Sequence, residues 1–86
     1  MVDEFGPKKY TYKISGESYL SSYMSNTVAF LNQVDGVIPT SIKVYGYIGD
    51  KCKFKFKGTE LQLRELINAL GNKLEFTVET VRKVLF

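Results

Sequence analysis

The sequence predicts an α+β fold of element order β-α-β-β-α-β. Three observations predict it. Two stretches, KKYTYKI and KCKFKFKG, alternate apolar and polar residues, the period of a half-buried strand. Two others repeat apolar residues at three- and four-residue spacing, the period of an amphipathic helix. Glycines at positions 16, 36, 49 and 71 break the pattern between them.

The first strand spans Lys8–Ile14, with Tyr10, Tyr12 and Ile14 on one face and Lys9, Thr11 and Lys13 on the other. Residues 1–7 precede it as an N-terminal arm, and residues 8–86 form a single domain. Ser15-Gly16 reads as a break, with Ser15 or Ser18 available to cap a helix. That helix carries Leu20, Tyr23, Met24, Thr27, Val28, Leu31 and Val34 on its apolar side and ends at Asp35-Gly36.

Pro39 precedes the second strand, Ser41–Ile48, and a turn at Gly49-Asp50 leads into the third, Cys52–Lys57. The loop length sets the register. A two-residue loop would pair Val44 with Lys55 and mix lysine with apolar side chains on both faces. A three-residue loop, Gly49 to Lys51, pairs Ile48 with Cys52, Gly46 with Phe54 and Val44 with Phe56, and the faces segregate. A one-residue slip would put lysine in the core, so burial favours the second register. It sets Tyr47 against Lys53, Tyr45 against Lys55, and Lys43 against Lys57 on the outer face.

Thr59-x-x-Gln62 is a capping box and opens the second helix. Leu63, Leu66, Ile67 and Leu70 form its stripe, and Gly71 stops it. Lys73–Glu79 is the last strand, with Leu74, Phe76 and Val78 inward and Glu75 and Glu79 outward. The tail from Thr80 to Phe86 suits a strand or a short helix equally. With right-handed crossovers, this order closes as a ferredoxin-like arrangement: a four-stranded antiparallel sheet with both helices on one face.

Composition narrows the function. Histidine is absent, and Cys52 is the single cysteine. This excludes Ser-His-Asp and Cys-His catalysis, histidine or four-cysteine zinc sites, and iron–sulfur clusters. No P-loop or G-x-G-x-x-G is present. The loop Ser15-Gly16-Glu17-Ser18 lacks the arginine of acylphosphatases and the paired cysteines of metal-carrying domains of this fold. Cys52 points inward as an inert thiol. The expectation is a non-enzymatic protein without a cofactor. The acidic-then-basic N-terminus has no apolar signal-peptide region, and no run is long enough to span a membrane. With one cysteine and no internal disulfide, the expected location is cytoplasmic.

Charge points to a surface. The net charge is +3, yet residues 41–57 alone hold five lysines against one aspartate. The rest of the chain is slightly acidic. The candidate binding residues are therefore Lys43, Tyr45, Tyr47, Lys53, Lys55 and Lys57, with Lys9 and Lys13 on the neighbouring strand. Lysine on strands deters edge-to-edge aggregation. A lysine and tyrosine face also suits an acidic protein surface, where tyrosine is favoured and charge steers association. The same face suits nucleic acid, through phosphate contacts and base stacking. It departs from RNA-recognition-motif domains, because the phenylalanines of KCKFKFKG point inward. Arg64 and Arg82 are placed away from this face. The favoured function is protein–protein interaction of an adaptor or inhibitor type, as in small phage- or mobile-element-encoded proteins of this size, with a homodimer through edge strand 41–48 as one form. The alternative is nucleic-acid binding through the same face.

Overall fold

The computed structural model describes residues 8–84; the expected arm, residues 1–7, and the last two residues of the tail lie outside the described residues. The elements follow in the order β1 (Tyr10–Ser18), a 3-10 turn (Ser21–Tyr23), α1 (Met24–Gln33), β2 (Val37–Tyr45), β3 (Lys51–Gly58), α2 (Glu60–Leu74) and β4 (Phe76–Lys83). The architecture is α+β, with two helices and a four-stranded sheet of order β2-β3-β1-β4. Every neighbouring pair is antiparallel.

One apolar cluster joins the helices to the sheet. It contains Tyr12, Ile14, Cys52, Phe54, Phe56 and Phe76 from the strands, with Met24, Leu31, Leu63, Leu66 and Leu70 from the helices. Alternation along β3 buries Cys52, Phe54 and Phe56 and turns Lys53, Lys55 and Lys57 outward. Thr27 is fully buried in α1; its hydroxyl donates to the Tyr23 carbonyl at 3.3 Å, which satisfies it, whereas the buried Ser18 hydroxyl has no hydrogen-bond partner among the described residues.

Several boundaries differ from expectation. Ser15-Gly16 is no break, because β1 runs through it to Ser18. Ser18 is a buried strand residue, and α1 has no side-chain N-cap. Leu20 is extended and 47% exposed rather than part of the helix stripe.

At α2 the capping box forms as expected: the Gln62 amide donates to Thr59 Oγ1 at 3.1 Å and the Thr59 amide to Gln62 Oε1 at 2.9 Å. Gly71, however, does not stop this helix. It continues to Leu74, and Glu75 takes the left-handed cap at φ 52° with its amide bonded to the Leu70 carbonyl. A glycine signals a stop only where the chain needs positive φ, and at Gly71 it does not. A Cβ there would meet nothing within 4 Å. Gly71→Ala is therefore expected to raise stability by about 1 kcal/mol, the helix-propensity difference. Thermal denaturation reads this as a rise of roughly 4–8 °C.

The β2–β3 register also differs. Lys43 pairs with Lys53, Val44 with Cys52 and Tyr45 with Lys51. The expected partners Val44–Phe56, Tyr45–Lys55 and Lys43–Lys57 are not formed. The strands are joined by residues 46–50, with Gly46 at φ 99° and Gly49 at φ 72°. Tyr47 and Ile48 thus belong to a loop rather than to the strand. Pairing breaks again between Ile38 and Lys43, and Val37 is opposite Phe56 beyond it. The chain from Pro39 to Ile42 bulges out against the single residue Phe54.

β4 begins at Phe76 and runs to Lys83, which places the tail up to that point in a strand. Its register with β1 shifts beside Ser15, leaving Glu79 unpaired in the ladder. One extra residue exchanges the two faces of a strand. Beyond the shift, Thr80 sits opposite Ser15 and Arg82 opposite Lys13. The expected outward alternation of Glu75 and Glu79 is replaced by Thr80 and Arg82.

Candidate functional site

The outer face of the sheet is built by the odd-numbered residues of β1 and β3 together with the two irregular edge strands. In β1 these are Thr11, Lys13, Ser15 and Glu17, and in β3 Lys51, Lys53, Lys55 and Lys57. The β2 bulge contributes the first wall. Ser41 Oγ donates to the Ile38 carbonyl at 2.6 Å and accepts from the Lys55 amide at 2.7 Å. A side chain here substitutes for the backbone partner that the bulge removes, satisfying both groups. The shifted end of β4 contributes the opposite wall through Thr80 and Arg82. The Ser15 and Thr80 hydroxyls hydrogen-bond to each other across the strands between the walls.

The result is a groove of about 590 Å³. Five cationic side chains line it, Lys13, Lys43, Lys53, Lys55 and Arg82, and no acidic residue does. The cations stand directly opposite one another on adjacent strands: Lys13 against Lys55, Lys13 against Arg82, and Lys43 against Lys53. Like charges in directly opposed positions oppose folding by a few tenths of a kcal/mol per pair, with the exact size set by solvent screening.

Of the candidate residues, the groove brings together Lys43, Lys53 and Lys55. Lys57 is on the same face, opposite Thr11, but outside the groove. Tyr45 stands at the edge near the loop, with the Lys53 ammonium 5.5 Å from its ring centre. Such a contact contributes about 0.5–1 kcal/mol at an exposed site. Tyr47 lies in the loop and is 103% exposed relative to its reference state.

Arg82 and the polar lining residues Ser15, Ser41 and Thr80 were not foreseen. Two strand irregularities bring Ser41, Thr80 and Arg82 to this face, and no periodic pattern marks them; Ser15 follows the alternation of β1, which the expected break at Ser15-Gly16 cut short. Arg82, expected away from the lysines, is the guanidinium of the groove.

A second feature adjoins it. The loop between β2 and β3 carries Tyr47 and Ile48, the latter 61% exposed. The Ser18 amide donates to the Asp50 carbonyl at 2.8 Å, so Tyr19 and Leu20 leave the sheet beside this loop. Tyr19, Leu20, Val44, Tyr45, Tyr47 and Ile48 are all exposed large apolar residues.

Among the described residues no group of histidine, cysteine, aspartate and glutamate is placed to hold a metal ion. No helix there is long and apolar enough to cross a membrane. Cys52 is buried on the opposite face of β3, and burial pushes its thiol up to about 11, with a backbone contact at Lys43 offsetting part of the rise. The chain matches no protein-family model and none of the curated proteins.

Proposed function

We propose that this chain is a small non-enzymatic binding domain of the adaptor or inhibitor type, in a ferredoxin-like arrangement, and that it binds an acidic protein surface. The observation that carries this reading is the junction of the basic groove with the exposed apolar loop, at Tyr45, Tyr47 and Ile48. A protein interface joins an apolar centre to a charged, wet rim. Aliphatic side chains such as Ile48 and Val44 add nothing to phosphate tracking, which rewards charge and stacking. Lys43, Lys53, Lys55 and Lys57 steer the acidic partner, and Tyr45, Tyr47 and Ile48 supply the contact that holds it.

A second copy of the chain is a less suitable partner by strand pairing. The edge strand β2 bulges between Ile38 and Lys43 and ends at Tyr45, which leaves little regular edge to extend.

Nucleic-acid binding is the second reading. The groove's five cations, with no acidic residue in its lining, favour it. The test pairs two measurements. Affinity capture from the source cell is expected to yield a stoichiometric complex that Tyr47→Ser with Ile48→Ser weakens by at least tenfold, read by calorimetry on the reconstituted pair. Labelled single-stranded RNA, single-stranded DNA and duplex DNA are expected to show no binding by anisotropy at physiological salt. Oligonucleotide binding that falls steeply with salt and vanishes in Lys53→Glu/Lys55→Glu would decide for nucleic acid instead.

A further inference from the structure

We infer that the groove between the β2 bulge and the shifted end of β4 is a binding site for a small ligand carrying two or more phosphate groups. This goes beyond the protein-binding reading, which rests on the exposed loop. Three features of the groove converge on the same chemistry.

The first is concentration of charge. Lys13, Lys43, Lys53, Lys55 and Arg82 come from all four strands and meet on one concave surface. Lysines placed only for solubility are most effective when spread over a surface and mixed with acids. Here they face one another in opposed pairs, an arrangement that a bound polyanion relieves.

The second is donor geometry. A phosphate group accepts several hydrogen bonds at once, and a guanidinium offers it a planar fork. Arg82 supplies the fork. Lysines stand around it as mobile point charges, and the Ser15–Thr80 hydroxyl pair between the walls retains an O–H to donate. Ser41 is already committed to Ile38 and Lys55, so its role is to hold the wall.

The third is size. About 590 Å³ lies within the roughly 300–1,000 Å³ range of small-molecule sites. A nucleoside triphosphate or a short polyphosphate is a ligand of that size. Ile38 gives one side of the groove an apolar surface.

The experiment is differential scanning fluorimetry and calorimetry on the full chain with inorganic tripolyphosphate, magnesium-free ATP, a single-stranded oligonucleotide and oligoglutamate, against sodium chloride at matched ionic strength. At ligand ten times its Kd, the melting temperature is expected to rise by roughly 6–11 °C by mass action. Binding is expected at one ligand per chain. Lys55→Gln with Arg82→Gln should weaken it at least tenfold. So should Lys43→Gln with Lys53→Gln on the other wall, which serves if the first variant fails to fold. Tyr47→Ser should leave it unchanged. A shift that sodium chloride reproduces overturns the inference, as does one that survives in both double variants. A shift seen only with an oligonucleotide longer than the groove, or only with oligoglutamate, overturns it in favour of a macromolecular occupant. A shift with tripolyphosphate alone would identify the phosphate chain as the recognised part, and an additional gain with ATP would assign the Ile38 side to a base. The Tyr47/Ile48 test of protein binding is read separately, on the loop rather than on the groove.

Discussion

Gly16→Ala is expected to destabilise the protein by about 3 kcal/mol, at the upper end of what overpacking a core does. Gly16 lies in mid-strand, paired with Cys52 on one side and Val78 on the other. A Cβ built there would be 2.8 Å from the Phe76 ring and 2.9 Å from the Val78 Cα, and it would also clash with the Thr77 carbonyl. The ring tip could swing aside, but the backbone of β4 could not without breaking the ladder. The glycine is therefore a place where ring and neighbouring strand come close. For a domain of this size, total stability is roughly 4–13 kcal/mol. The variant should lose a large part of it. Urea titration followed by circular dichroism reads the loss as a lower midpoint at unchanged slope. If Gly16 were instead the loop break that its neighbour Ser15 implies, alanine would be neutral or slightly stabilising. The opposite sign expected at Gly71 makes the pair a direct comparison of two glycines that look alike in the sequence.

The same contrast explains what the sequence made legible. The α+β class, the two helices and the antiparallel strands were readable because they depend on periodicity and burial, as in KKYTYKI, KCKFKFKG and the Thr59 capping box. The face of the β3 lysines was readable for the same reason. The hairpin register was not. Burial reports only which face a residue is on, so it rejects odd shifts and is blind to even ones. Pairing Val44 with Phe56 or with Cys52 sets it on the same face of the sheet, and the observed register differs from the expected one by such an even step. What separates them is the loop, where Gly46 and Gly49 take positive φ and the Asp50 carbonyl is held by the Ser18 amide. That contact joins residues distant in sequence.

Arg82 was hidden by a related effect. A single unpaired residue in β4 inverts every side chain after it, and nothing local in FTVETVRK announces the insertion. The bulge in β2 has a partial signal, since Pro39 cannot donate to a ladder. The groove depends on both irregularities. A regular β2 would remove its first wall, and a regular β4 would put Arg82 on the core side. The surface proposed to bind is thus made where the sheet departs from ideal pairing.

Cys52 gives the second large effect. Its side chain is 0% exposed, and burial raises the thiol from 9.0 to about 11. The folded state then disfavours the thiolate more than the unfolded state does. A group whose folded pKa is raised contributes stability below its unfolded pKa and loses it as pH rises towards the folded one. Cys52 is therefore expected to leave stability unchanged up to about pH 9 and to remove on the order of 3 kcal/mol between pH 9 and 11. The quantity to measure is the difference between wild type and Cys52→Val. That variant keeps an apolar side chain of similar volume in the core and has nothing to ionise. Urea midpoints for the two proteins should run parallel from pH 6 to 9 and diverge above it, with the wild type falling faster. The native thiol should also react with a disulfide reagent at pH 8 at a small fraction of the rate of the unfolded chain, since both the thiolate and access to it are suppressed. Parallel midpoints up to pH 11, or fast native labelling at pH 8, would place this thiol in contact with solvent. The chain would then carry a reactive nucleophile directly behind the groove, and a purely binding role would have to be reconsidered.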